Sequence, residues 1–103
     1  MLNSVVLVGK IHNIGELIEN EIGKSECKIV IAVPRSYKNS DGIYETDLIE
    51  CTMFGGVATN TIENCEKGDV IGIRGVIKKV YDKNEIIVEK LTFLSSKKES
   101  EEN

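Results

Sequence analysis

Apolar and polar residues alternate with a period of two over most of the chain, and only one short stretch switches to helical spacing. Val5, Val6, Leu7 and Val8 form an unbroken apolar run, which predicts a first strand within residues 1–11 that is covered on both faces. Residues 17–22 alternate only loosely before the turn signal Gly23-Lys24-Ser25. A second strand over residues 27–33 (CKIVIAV) is expected to end at Pro34, which cannot donate to a ladder. Asn39-Ser40-Asp41-Gly42 supplies residues that tolerate positive φ, so the segments on either side should project as a long hairpin finger. In residues 44–54 the set Asp47, Ile49, Cys51, Met53 alternates with Leu48, Glu50, Thr52, Phe54. The first set predicts the core face and leaves Phe54 on the polar one. Gly55-Gly56 then break the strand, and Val57, Ala58, Ile62 and Cys65 predict a short helix over residues 57–67 stopped by Gly68. Residues 70–80 and 85–93 pair around a turn at 81–84, with Phe93 in the core. Five strands with a helix between the third and fourth predict an all-β chain, a five-stranded Greek-key OB-fold barrel.

A chain of 103 residues with 41% hydrophobic content fits one domain, residues 1–94, that only just supports its own core. Residues 95–103 (SSKKESEEN) hold no apolar side chain and are expected to form a disordered acidic tail. No apolar run approaches the ~20 residues of a membrane span. The start has neither a basic leader nor a small-residue cleavage site, so a cytoplasmic location is expected. Cys27, Cys51 and Cys65 are odd in number, lack a CxxC pair and accompany a single histidine, His12. That set suits neither a zinc site of about four ligands nor a disulfide framework, and reduced structural thiols are expected. No metal and no cofactor is implied. His12 has no nucleophile beside it, the carboxylates fall in no local signature, and Gly55-Gly56 lacks the lysine and hydroxyl of a phosphate loop. No catalytic residue is assigned.

The formal charge of −4 argues against a nucleic-acid partner, because phosphate binding normally shows as a basic domain. Its distribution changes that picture, since local potential governs binding. Glu16, Glu19, Glu21 and Glu26 crowd the first long connection, and Glu99, Glu101 and Glu102 lie in the tail. Arg35, Lys38, Arg74, Lys78, Lys79 and Lys83 fall instead on strands and a loop that would flank one groove. For each of them a solvated surface charge is the plain alternative, and for Arg74 an internal salt bridge competes evenly. Of the five aromatics, Tyr37 and Tyr44 flank the finger, where a cross-strand pair would also explain them. Tyr81 sits in a turn among lysines with little core to fill.

The opening MLNSVVLVGKI, then DGIYETDLIECTMF (41–54), the helix-like 57–67 closed by Gly68, DVIGIRGVIKKVYD (69–82) and EIIVEKLTFL (85–94) follow one another as in the bacterial single-stranded DNA-binding proteins. The chain resembles that family over nearly all of residues 1–94. The resemblance implies an OB barrel that binds and protects single-stranded DNA, whatever its sequence, in replication, recombination or repair. It also implies a homotetramer with two-fold symmetries, with a homodimer as the main alternative. On the family's pattern the base-stacking positions fall on Tyr37, Leu48, Phe54 and Tyr81. Leu48 removes one platform, and Gly56 stands where a basic residue is often found. The expected site is therefore Tyr37, Phe54 and Tyr81 for bases, with Arg35, Lys38, Arg74, Lys78, Lys79 and Lys83 for phosphates. Family members commonly end in an acidic tip finishing in Pro-Phe that recruits partners. ESEEN lacks that aromatic end, so recruitment in this form is not expected. The acidic balance and Leu48 favour a rival reading, an OB-fold protein-interaction accessory of a replication or mobile-element complex with weak or no DNA binding.

Overall fold

The computed structural model describes residues 1–96. The rest of the expected tail, 97–103, lies outside the described residues. The elements follow in the order β1 (Val5–Ile14), β2 (Ile18–Glu19), β3 (Ser25–Lys38), β4 (Tyr44–Phe54), α1 (Gly55–Asn64), β5 (Val70–Val80) and β6 (Lys83–Ser95). β1 pairs antiparallel with both β3 and β5, β3 pairs with β4, and β5 with β6. A short parallel contact, Cys51 with Ile86 and Thr52 with Ile87, joins β4 to β6 and closes the ring. The result is a closed five-stranded barrel, with β2 added beside the start of β3 where its pairing with β1 has ended. The all-β barrel expected from the pattern is the one that forms. The helix follows the fourth strand rather than the third only because the loosely alternating stretch contributes the two-residue β2.

Alternation sets the core. Ile11, Cys27, Ile29, Ile31, Cys51, Met53, Ile71, Ile73 and Val88 are buried and packed together with Ala58 of α1. Removing the isoleucine, valine and methionine side chains of this set from water stabilises the fold by about 1.5–3 kcal/mol each. Cys27 and Cys51 act here as small hydrophobes, and burial, helped by Glu50, pushes the Cys51 thiol up to about 11. Gly9 and Gly75 permit close strand crossing, because a Cβ on Gly9 would strike the carbonyl oxygen of Ala32 and one on Gly75 that of Ile87.

Five details differ from the pattern. β3 runs on through Pro34, because beyond Ala32 it pairs with β4 alone and the missing N–H can face away from the ladder. The helix starts at Gly55, at φ +56, and buries Ala58 and Thr61 while Ile62 is exposed. Phe93 is half exposed instead of core. Glu89 is an extra β6 residue opposite Arg74 and Gly75, and a second register shift lies at Val70/Ile71, so strict in-and-out alternation is lost along the end of β6. Ser95, counted with the tail, pairs with Val70. Finally, β1 is covered on one face only, with Val6 and Val8 70% and 52% exposed on the other.

Candidate nucleic-acid interface

Four segments converge on one open groove of about 630 Å³: the turn after β2, the start of β3, the end of β4 and the β5–β6 hairpin. Asn20 builds the first. Its side-chain oxygen accepts hydrogen bonds from the N–H groups of Ile22 and Lys24 at 3.1 and 2.9 Å, and Gly23 takes φ +79. This turn hangs Ile22 and Lys24 at the groove. Phe54 arrives from the outward set of β4, whose pairing with β3 is unbroken from Pro34–Thr46 to Glu26–Phe54. It therefore stays out of the core, with the Lys24 ammonium 5.3 Å from its ring centroid.

The hairpin supplies the second ring. Val80 pairs with Lys83, so Tyr81 and Asp82 alone make the turn. Tyr81 sits at φ +56, which no other described non-glycine residue shares. A left-handed backbone costs a residue with a Cβ about 1–2 kcal/mol, and glycine is usual at this position of a two-residue turn. The ring is 94% exposed, so no packing within the chain offsets that cost. Strain of this kind gathers at binding and catalytic sites.

Lys24, Lys28 and Lys78 face Glu26 and Glu85 in this groove. The Lys28 ammonium donates to Thr52 Oγ1 at 3.1 Å and to Glu85 Oε1 at 3.3 Å, with Glu50 Oε1 at 4.0 Å. The Thr52 hydroxyl donates to the same Glu85 oxygen at 3.1 Å. Arg35 is engaged elsewhere. Its Nε and one terminal nitrogen donate to the two oxygens of Asp47, each at 3.0 Å, and the other terminal nitrogen donates to Glu45 at 2.8 Å. The hydrogen bond from Arg35 holds the Asp47 carboxyl below its usual range, and the same bond, with the charge of Asp47 and then of Glu45 and Tyr37, raises the guanidinium further.

Of the nine residues expected from sequence, Phe54, Tyr81 and Lys78 line the groove together. The others do not. Arg35 is tied to Glu45 and Asp47, and Tyr37 lies near enough to share its field. Lys38 stands opposite Tyr44 at the finger. Arg74 shares the face of β5 that carries Lys78 but sits between Val6 and Lys90, toward β1. Lys79 alternates to the other face opposite Asn84, and Lys83 faces Val80 at the hairpin end. The six cations thus do not flank one groove, because strand register rather than proximity in sequence decides which face each one takes. Lys24 and Lys28 are the cations that sequence reasoning passed over. For Lys28 the signal was present: period two in residues 27–33 places it on the outward set, where it opposes Thr52.

The profile of the Single-strand binding protein family matches residues 2–94. Single-stranded DNA-binding protein B of Bacillus subtilis is 35% identical over 85 residues, which cover 82% of this chain and 75% of that protein. The single-stranded DNA-binding protein of Staphylococcus epidermidis is 31% identical over 110 residues, covering 99% of this chain and 83% of the other. Among solved structures, the priB protein of Ralstonia solanacearum superposes with a TM-score of 0.74 at 13% identity, over 91% of this chain and all of that one. At that identity the likeness concerns the fold alone.

Proposed function

Because the chain belongs to the single-strand binding protein family, we propose that it holds and protects single-stranded DNA during replication, recombination or repair, without reading its sequence. One observation carries the structural side of this reading: two rings, Phe54 and Tyr81, line the same groove as Lys24, Lys28 and Lys78. Bases stack on the rings and phosphates meet the lysines. Stacking of this kind is typically worth ~1–3 kcal/mol per base in single-strand-binding proteins as a class. Arg74, on the face of β5 that carries Lys78, and Lys83, at the hairpin end, serve a longer strand leaving the groove, while Lys79 lies on the other face. Arg35 is the least available cation, and Tyr37 beside it has no part in the groove. The protein binds and does not transform its ligand, so no reaction is assigned. Family membership disfavours the accessory-module reading.

The open apolar face at Val6 and Val8 supports an isologous contact between copies, with a homodimer as the smaller unit and a homotetramer as the full assembly. Three free thiols fit a reducing cytoplasm.

The direct test is titration with oligo(dT), read by the fluorescence of the chain's three tyrosines, which no tryptophan obscures. Quenching is expected at low salt. For a short oligo(dT) that fills the groove alone, with two or three phosphates neutralised, the slope of log K against log salt should be shallow, about −1.4 to −2.1. No binding at low salt would end the reading.

A second outcome follows from the Lys28 pairing. Glu85 competes with phosphate for this ammonium, so Glu85→Gln should tighten oligo(dT) binding severalfold and steepen the salt slope by about 0.7. Unchanged affinity and slope would show that Lys28 meets no phosphate.

A further inference from the structure

The outward set of β4 continues from Phe54 away from the groove, through Leu48 to Tyr44, along ten residues that span roughly 33 Å. Leu48 and Tyr44 are 57% and 54% exposed. β3 carries two more residues than β4 between the pairs Pro34–Thr46 and Lys38–Tyr44, so Lys38, not Tyr37, stands opposite Tyr44. The two tyrosines therefore do not form the cross-strand pair that would explain both. Tyr37 has no partner on β4 in this stretch of the ladder, while the Lys38 ammonium lies 5.7 Å from the Tyr44 ring centroid. The same pairing of ring and lysine occurs at Phe54 and Lys24, at 5.3 Å.

A nucleotide presents a flat π surface and an anion a few ångströms apart. A half-open ring beside a lysine matches both halves. We infer that Tyr44 and Lys38 form a second nucleotide-holding station on the finger, joined to the groove by the outward face of β4. It lies about 13 Å beyond Leu48, an exposed side chain with no ring, on the same face. This rests on the proposed binding of single-stranded DNA and extends it: a short oligonucleotide fills the groove alone, and only a longer one reaches Tyr44.

The test uses the full chain with two oligo(dT) lengths, about 5 and about 16 nucleotides, within the range that one OB fold holds. Tyr44→Ala should weaken the long oligonucleotide about 5- to 150-fold and leave the short one within about twofold. Tyr44→Phe should restore long-strand binding, since the ring is what stacks. Lys38→Gln should lower the salt slope by about 0.7 with the long strand only. Equal affinity of Tyr44→Ala and the wild type for the long strand overturns the inference. So does an equal loss at both lengths, which is the signature of a destabilised hairpin. If the wild type binds neither oligonucleotide, the DNA reading itself falls and the station with it.

Discussion

Ile29→Ala is expected to destabilise the barrel by about 2–5 kcal/mol, the range for truncating a fully buried branched side chain. Ile29 is completely buried at the centre of β3, paired with Ile14 of β1 on one side and Cys51 of β4 on the other. Its neighbours on the inward set, Cys27 and Ile31, are buried as well. The strands around it are hydrogen-bonded into a closed ring, so the wall cannot move in to fill the gap, and the cost should sit high in that range. For a domain of this size each kcal/mol lowers the melting temperature by about 4–8 °C. Thermal unfolding followed by circular dichroism should therefore shift by 10 °C or more. Val30→Ala, one position along on the outward face, is the control and should change stability by less than about 1 kcal/mol. A loss below that level at Ile29 would mean that the barrel interior is not packed as described.

The second large effect separates binding from stability. Phe54→Ala with Tyr81→Ala should weaken oligo(dT) binding by about 2–6 kcal/mol, if each ring stacks one base at the usual strength. Tyr81→Gly sharpens the comparison. Glycine takes φ +56 freely, so this variant should lose Tyr81's share of the affinity while the melting temperature stays level or rises. The two properties move in opposite directions only if the ring at the turn serves a ligand rather than the fold. A Tyr81→Gly protein that binds oligo(dT) as tightly as the wild type would remove Tyr81 from the site.

How much of this was legible in the sequence depends on whether neighbours or distant partners decide the matter. Alternation is local. It placed Ile49, Cys51 and Met53 inward and Phe54 outward, and the residues tolerant of positive φ at 39–42 marked the finger, where Asn39 accepts from the N–H groups of Asp41 and Ile43. Register is not local. The two additional residues of β3 before Lys38 and the extra Glu89 in β6 change which side chains share a face, and no feature of either strand alone announces them. For that reason alternation alone puts Phe93 in the core, nearness in sequence groups Tyr37 with a groove it does not line, and nothing local shows that carboxylates ten and twelve residues on hold the Arg35 fork. Lys24 depends on a turn built by Asn20, a contact that the turn signal at Gly23 did not reveal.

The narrow parallel contact between β4 and β6 is the shortest seam of the ring. Only two residue pairs join the strands there, and Glu85, just ahead of them on β6, reaches back to Thr52 of β4 and Lys28 of β3. Glu85's partner across this seam is thus a lysine that also faces the groove. On the proposed reading, a phosphate arriving at that ammonium would draw it from Glu85 and leave the Thr52 hydroxyl alone to bridge the two strands.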